Sequence, residues 1–597
     1  MTLSNTLKNT TFQDTADTCG SNQTPSFPLH LDGGFLTGQV DILDAGARKP
    51  GSPDNMDGTE PCSSLKKQIA LIQAATKSLE DREISGTPVF TELVRQHGNS
   101  TSSSGEEVFT QYGLLGGDVA KLRGAEDREA VPDAQGDPRV FYNIRAPSSV
   151  FICGSQGSGK SHTLSCLLEN CLIPTEANTL PRPLTGIVFH YDPFFSDNRG
   201  QRCEAASISS HAGVKVRVLC PPTNVQQIKR LYETLPNVEV QELRISQRDL
   251  NTKRMLDLMA VSSIQEGTMP LYLHIVTRIL RDLRIEQQKN GGFFNYRAFR
   301  RAIAAEGLTP GQSAPLKQRL DTLESFMARE DVAESKIPCR GSCDPWGDKS
   351  HLCLDELENT ASAWEPKAGQ LTIVDLSCPC VTAESACSLF NICLSLFLEQ
   401  HSSDMGRVIA LDEAHKYMTE SAESQSLTES LVSTIRLQRH LGARIVIATQ
   451  EPTISPTLLD LCTVTIVHRF TSPSWLESLR KHLAGASLSE KKTKAGEDES
   501  GGSSAASLAG LLGRIISLRQ GEALMFCPSA IVGVRKAKQD DTINGLADDL
   551  ATWSLGQDPP VSHVDPGSGL IHLGQGVMKI RVRERITEDG GRSIMAA

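Results

Sequence analysis

The sequence predicts an α/β fold, a largely parallel sheet covered on both faces by helices. Three observations carry this. From about Val108 onward, apolar runs of strand length alternate with stretches of helical periodicity. One run, Ser149–Cys153, passes into a glycine-rich turn that opens an amphipathic helix. The strands fall into two groups separated by Asn224 to Met327, where helical periodicity dominates and no strand is convincing, so that block reads as a helical insertion.

Taken in order, residues 1–62 are rich in Thr, Ser, Asn, Asp, Gly and Pro, with few aliphatics. Such a segment buries too little apolar area to offset its ordering entropy and is expected to be disordered. Leu65, Ile69, Ile72 and Leu79 recur at roughly helical spacing, predicting one amphipathic helix over 63–83 that docks on the main domain. His97–Glu107 (HGNSTSSSGEE) reads as a flexible linker, so residues 1–107 form a mostly disordered N-terminal region. The first half of the sheet domain, 108–223, contains Ser149–Cys153, Ile187–Tyr191 and Val214–Leu219 as strands. Lys160–Leu172 reads as a helix ended by Pro174. The insertion spans 224–335 and includes helices Leu271–Arg284 and Leu316–Met327; a cysteine-containing loop follows at 336–370. The second half, 371–540, supplies strands Leu371–Asp375, Val408–Leu411, Ile445–Ala448 and Val464–Val467, with a mobile loop at 485–507. Residues 541–597 are a tail with one basic strand.

Composition bounds the function classes. Of 597 residues, 39% are hydrophobic and 22% charged, which excludes wholesale disorder. The longest apolar runs are strand-sized, far short of the roughly 18 residues that span a bilayer, so no integral membrane segment is expected. The N-terminus has no apolar signal region, which makes the glycosylation-like triplets at Asn9, Asn22 and Asn99 uninformative. The 16 cysteines then read as reduced thiols of an intracellular protein, cytoplasmic or nuclear, not secreted. The net charge of −11 argues against a broad basic surface but leaves room for a local basic channel.

Residues 154–161 read GSQGSGKS, the phosphate-loop pattern G-x-x-x-x-G-K-[ST]. Gly154, Gly157 and Gly159 allow successive backbone N–H groups to face an anion, with Ser155, Gln156 and Ser158 between them. Lys160 would reach the β- and γ-phosphates of ATP, Ser161 would put its hydroxyl on Mg²⁺, and His162 follows on the first helical turn. Such a site needs carboxylates at a strand end beside the phosphate loop. Asp412 and Glu413 follow Val408–Leu411, the first as a Mg²⁺ holder and the second as general base; the bland alternative is a helix N-cap followed by a first-turn acid. Gln450, after Ile445–Thr449, is the candidate sensor of phosphate and water. The letters DEAH at 412–415 suggest a helicase of that name, but the acidic pair stands too far from the phosphate loop and no paired-arginine motif follows.

The order of these pieces resembles the HerA branch of the HerA/FtsK superfamily of P-loop ATPases. Tyr191-Asp192-Pro193 fits the family's Asp-Pro strand end, although Phe194-Phe195-Ser196 stands where the family has His-Gly-Glu. Asp375-Leu376-Ser377 fits its Asp-Leu-Ser strand, and Arg436, Arg439 and Gly442 fit its Arg-x-x-Arg-x-x-Gly. Gln450, Pro452, Leu458, Leu459, Cys462 and Arg469 match the run after the sensor, and Leu518, Gly521, Glu522 and Ala523 a late Leu-x-x-Gly-Glu-Ala. The family's small N-terminal β-barrel has no visible counterpart. The resemblance implies a RecA-like motor domain, ATP and Mg²⁺ as cofactors, and a homo-oligomeric ring, usually a hexamer, with ATP between subunits. It also implies duplex DNA as cargo, with a nuclease partner in some members. Arg436, Arg439 and Arg469 are the candidates for completing a neighbour's site, against the plainer reading of ion pairs or caps on the sheet's rim. Two other functions compete: a nucleotide-binding switch with little turnover, and a motor for protein or membrane-associated cargo.

Two further constellations stand apart. Cys339, Cys343, His351 and Cys353 offer four ligands for zinc within one polar loop, against buried or free thiols as the default. Cys378-Pro379-Cys380 is less specific still. Near the C-terminus, Arg581, Arg583 and Arg585 alternate with apolar residues, as in a charge-protected edge strand or a tail that crosses to a neighbouring subunit.

Overall fold

A computed structural model of the chain describes residues 65–70, 81–102, 105, 107–126, 135–196, 200–258, 271–327, 364–400, 405–452, 454–483, 503–535, 563–564 and 569–588. Among them the strands are β1 (Val89–Thr91), β2 (Tyr112–Asp118), β3 (Arg139–Asn143), β4 (Ser149–Cys153), β5 (Asn178–Thr179) and β6 (Thr185–His190). Next come β7 (Lys215–Cys220), β8 (Val238–Glu242), β9 (Gln370–Asp375), β10 (Arg407–Leu411), β11 (Ala443–Thr449) and β12 (Val464–Val467). The last are β13 (Glu522–Phe526), β14 (Ile531–Val534), β15 (His563–Val564), β16 (Leu570–His572) and β17 (Met578–Val582).

Eight strands pair in parallel in the order β8-β7-β9-β6-β10-β11-β4-β12. Their side chains alternate between two cores. Phe151, Ile187, Ile409, Leu411, Ile445 and Ile447 face one, against the helices Ala383–Glu399, Ala422–Arg436 and the inserted helices. Val150, Ile152, Val408, Ala410, Val446 and Ala448 face the other, against Lys160–Leu172 and Val225–Tyr232. Burial on both faces explains why these strands read as continuous apolar runs. The insertion Thr252–Leu258, Leu271–Asn290, Tyr296–Ala305, Pro310–Phe326 joins the first core through Leu273, Val276, Leu280, Leu316, Leu320 and Leu323.

From β12 the sheet continues as an arc, β13-β17-β2-β3-β1-β14-β16-β15. Only β1–β14 is parallel within it. Chain-consecutive β13 and β14 are separated in the arc by four strands, so the arc must curl to bring them together. Its interior is a third core of Ile84, Phe90, Val94, Phe109, Phe141, Ile531 and Leu570, with the Phe90 and Phe109 rings stacked. At Gly116 the carbonyl of Arg581 occupies the space a Cβ would need, so β2 and β17 approach as closely as they do because that residue is glycine.

Several expectations are corrected. The ordered domain reaches upstream of residue 108: residues 81–86 are helical, β1 follows, and the helix Glu92–Thr101 takes in half of the expected linker. Three-residue β1 pairs only with strands distant in sequence, β3 and β14, so no local pattern announces it. Of the amphipathic helix over 63–83, residues 65–70 and 81–86 are helical, with Leu65 and Ile69 exposed. The block without a convincing strand holds β8, a half-exposed edge whose alternation is diluted by charge. Residues 503–507 of the expected mobile loop begin the helix Ser503–Ile516. Residues 1–62, 336–363 and 485–502 lie outside the described residues.

The basic C-terminal strand is neither an edge nor a crossing arm. β17 is held between β13 and β2. The chain then runs along the helix Lys160–Leu172, where the Arg583 guanidinium pairs with Glu169 at 2.7 Å, both side chains buried. Arg583 also donates to the carbonyls of Leu114 and Cys166, and Thr587 donates through N–H and hydroxyl to Glu169. Removing one partner of such a pair leaves an uncompensated buried charge. Arg583→Ala should therefore lower the unfolding free energy by about 3–5 kcal/mol in denaturant titration, while Arg583→Ala with Glu169→Ala should cost less than the two single losses added.

Candidate functional site

The phosphate loop sits at the carboxyl end of β4. Gly154, Gly157 and Gly159 have φ of 154°, 71° and 111°, a backbone that L side chains rarely adopt. The loop is tied from both sides. Ser155 donates through N–H and Oγ to the Arg469 carbonyl at 2.9 and 2.8 Å, and Ser158 Oγ donates to the Ser155 carbonyl at 2.7 Å. Gly159 is the N-cap of Lys160–Leu172, so the helix's free N–H groups point into the loop. Gln156 and Gly157 are exposed, and Ser161 and His162 are half-buried on the first turn. Among the described residues His162 Nε2 meets the Arg583 carbonyl at 2.8 Å, which ties its ring to the C-terminal segment.

Beneath the loop lies His468, which the sequence reading missed. Its Nε2 meets Thr163 Oγ1 at 2.9 Å and its Nδ1 meets the Glu522 carbonyl at 3.1 Å. A Cβ on Gly154 would come within 2.7 Å of the His468 Cβ, so the glycine is needed for space as well as for φ. Glu522, from the late Gly-Glu-Ala run, is buried against Lys579 at 2.8 Å and fixes β13 to β17. That run thus supports the phosphate loop from below, through the Glu522 carbonyl at His468.

Lys160 is buried, its Nζ donating to the Ser155 carbonyl at 3.1 Å. Burial pulls its pKa below the ordinary lysine range, and the charges of Glu413 and Asp412 pull it back up. Those carboxylates come from β10, which is not beside β4: the sensor strand β11 lies between them. Gln450 at the end of β11 therefore stands between phosphate loop and acid. Gln450 Nε2 donates to Glu413 Oε2 at 3.2 Å, and His415 Nδ1 lies 3.3 Å from the same oxygen. Glu413 itself has φ 48°, left-handed for a residue with a Cβ. Such strain persists where surrounding contacts over-determine it.

Asp412 is buried and turned toward His190, with Oδ2 3.1 Å from Nδ1 and 3.6 Å from the Cys203 sulfur. Burial would raise its pKa, but the hydrogen bond and charge of His190 hold it below the usual carboxylate range. Asp192 of the Asp-Pro strand end faces Lys416 at 3.6 Å. Asp375 of the Asp-Leu-Ser end accepts from Tyr232 Oη at 2.7 Å, and Tyr232 Oη accepts from the Cys203 N–H at 2.9 Å. The Asp375 end therefore reaches Asp412 through Tyr232 and Cys203, while the Asp192 end holds Lys416. No local sequence signal marks His190, Cys203 or His468, because each acquires its role from a partner remote in sequence.

The three arginines are not brought together. Arg469 is exposed beside the phosphate loop, which its own carbonyl shapes. Arg436 and Arg439, also exposed, precede Ala443 at the start of β11, the edge opposite Gln450. Seven strand residues at about 3.3 Å each separate the edges by about 20 Å, so neither can reach the phosphate of its own chain. Cys339, Cys343, His351 and Cys353 lie outside the described residues. Cys378 is buried and Cys380 exposed, with Thr223 Oγ1 3.3 Å from the Cys378 sulfur.

His468 gives a pH test. Burial holds its pKa down at about 4, against about 6.5 in the unfolded chain. The unfolded state then binds the extra proton between these values. Stability from the neutral ring is complete above pH 6.5 and falls as pH drops toward 4, by about 3 kcal/mol in all. In His468→Gln, the slope of unfolding free energy against pH between 4.5 and 6 should be shallower by about one proton.

No family model matches the chain, and no curated protein matches it. Solved structures similar to it include VirB4 of Thermoanaerobacter pseudethanolicus, 12% identical over 69% of this chain and 93% of that one, with a TM-score of 0.34. The plasmid coupling protein TrwB in complex with the ATP analogue ADPNP is 13% identical over 80% and 95%, with a TM-score of 0.37. The genome packaging NTPase B204 from Sulfolobus turreted icosahedral virus 2, in complex with sulfate, is 16% identical over 26% and 62%, with a TM-score of 0.19. Scores this low leave the assignment to the chain's own geometry. The strand order, the phosphate loop on β4 and the polar ends of β10 and β11 make this a RecA-like P-loop NTPase fold.

Proposed function

We propose that the chain is an ATP-hydrolysing motor of the HerA/FtsK kind, working as a ring with ATP at subunit interfaces. The observation that carries this is the Glu413 carboxylate. It is held by Gln450 at the end of the strand next to β4, in a strained backbone, within the field of the buried Lys160. A protein that only binds nucleotide has no need of a base so positioned.

In this reading the glycine-rich backbone and Lys160 bind the phosphates, and Ser161 and Asp412 would hold Mg²⁺, which would supply charge neutralisation for the phosphates. Glu413 takes the proton of the attacking water while Gln450 orients that water and the γ-phosphate. Arg436 and Arg439 serve a neighbour's site, the role their distance from their own phosphate loop leaves open. The cargo is duplex DNA, gripped by basic residues lining the pore of an otherwise acidic ring.

Glu413→Gln should bind ATP with near wild-type affinity and lose about 10²- to 10⁴-fold in turnover, whereas Lys160→Ala should also weaken binding. Equal ATPase rates for wild type and Glu413→Gln would sink the motor and favour the switch. Adding Arg436→Ala, Arg439→Ala subunits should depress wild-type ATPase by more than their fraction, with duplex DNA affinity falling steeply as salt rises. A strictly monomeric protein with full activity contradicts the ring. A ring whose ATPase ignores DNA at low salt moves the cargo to protein.

A further inference from the structure

We propose that His190, Cys203 and Asp412 form a binding site for one thiophilic divalent cation of the zinc class, positioned to draw Asp412 away from the magnesium of the nucleotide. The binding claim is independent of the function proposed above; its inhibitory consequence rests on that reading.

The three side chains arrive from separate elements. His190 is the last residue of β6, Asp412 follows β10, and Cys203 precedes the short 3-10 turn Glu204–Ser210. All three are buried, and their ligand atoms lie within 4.8 Å of one another. One imidazole nitrogen, one sulfur and one carboxylate oxygen form a donor set suited to zinc or cobalt and not to magnesium, which prefers oxygen alone.

The spacing is close to what such an ion needs. Bond lengths of about 2.0–2.1 Å to nitrogen, 2.0–2.2 Å to oxygen and 2.3 Å to sulfur at tetrahedral angles put nitrogen and oxygen about 3.4 Å apart, and sulfur and oxygen about 3.6 Å. The structure has 3.1 and 3.6 Å. The third pair, His190 nitrogen and Cys203 sulfur, lies within 4.8 Å, so small side-chain rotations would bring the three donors onto one ion, with the fourth position left for water.

The surrounding layer suits a ligand set. His190 Nε2 lies 3.3 Å from the Gln201 carbonyl, which accepts its hydrogen and leaves Nδ1 facing the other two donors. The Cys203 N–H donates to Tyr232 Oη, whose own hydrogen goes to Asp375, so the sulfur is set by a chain of buried hydrogen bonds. Binding replaces the thiol hydrogen of Cys203 and the hydrogen shared by His190 and Asp412. Both leave as protons to solvent, so one dication exchanges for two protons and the buried net charge is unchanged.

The test uses the full chain, stripped of metal and free of nucleotide, in a Cys343→Ser, Cys353→Ser background that removes the other candidate ligand set. Titration with Co²⁺ should give a thiolate-to-cobalt charge-transfer band in the near ultraviolet with four-coordinate visible bands, displaced by Zn²⁺. Cys203→Ser should lose the charge-transfer band, and His190→Ala should weaken apparent affinity at least tenfold. Because a buried substitution can prevent folding, zinc-edge X-ray absorption on the same background should independently show one sulfur and the remainder nitrogen or oxygen. No cobalt band, a band that survives Cys203→Ser, or a sulfur-free zinc shell would reduce the cluster to a hydrogen-bonded triad only and overturn the proposal. In the activity arm, zinc added at fixed Mg²⁺ and ATP should inhibit the ATPase, with at least tenfold less sensitivity in Cys203→Ser. Binding without inhibition would overturn the competition with magnesium. An absence of any Mg²⁺-dependent ATPase would sink the motor while the cobalt titration still reports on the metal site.

Discussion

The constraint on which the rest of this structure depends is a buried ammonium. The Lys160 ammonium sits inside the domain, where burial disfavours its charge. Two carboxylates offset the cost, and both must come from outside the phosphate loop's own strand, whose end the glycines occupy. The parallel sheet supplies them. It ends β4, β11 and β10 on one edge in that order, so Lys160, Gln450 and the Asp412–Glu413 pair meet there without long loops. β6 and β9 then bring His190, Asp192 and Asp375 to the same edge, where His190 bonds Asp412 directly and Asp375 acts through Tyr232 and Cys203.

Support from the opposite direction comes from the last strands. His468 after β12 touches Thr163 on the phosphate-loop helix and the backbone of β13. β17 lies against β13, and the segment after it clamps the same helix through Glu169 and His162. The helix that presents Lys160 is thus fastened on its N-terminal turn and along its flank by residues more than 300 positions downstream. A change in the C-terminal arc is therefore coupled mechanically to the phosphate loop through contacts, with no linker between them.

What was legible in the sequence was what is local. β4 and β12 fall where their apolar runs put them, and the helix Lys160–Leu172 begins at the loop lysine and ends before Pro174. The phosphate loop, acidic pair and sensor were readable for the same reason: each is a contiguous motif at a strand end. β1 and β14 were not, since each is three or four residues long and acquires its pairing from strands distant in the chain. The Arg581, Arg583 and Arg585 alternation was seen but misread. Pattern alone does not reveal that Arg583 is matched by Glu169, a carboxylate buried mid-helix that itself looks unremarkable in sequence. His468 and Cys203 fail for the same reason, since a lone histidine or cysteine in an apolar setting is by default core.

The edge-to-edge separation of the polar residues gives the proposed assembly its direction. Lys160, Asp412, Glu413 and Gln450 stand at the carboxyl ends of the parallel strands, while Arg436 and Arg439 stand exposed at the amino end of β11. A two-fold dimer uses one self-complementary patch, in which residue i meets j and j meets i, and stops at two copies. In the proposed ring the arginine edge of each copy meets the phosphate-loop edge of the next, a head-to-tail contact that closes when the rotation between copies divides a full turn. Such a contact suits where the sheet's polarity leaves its charges: one edge that lacks an arginine from these two positions, and an opposite edge that carries both.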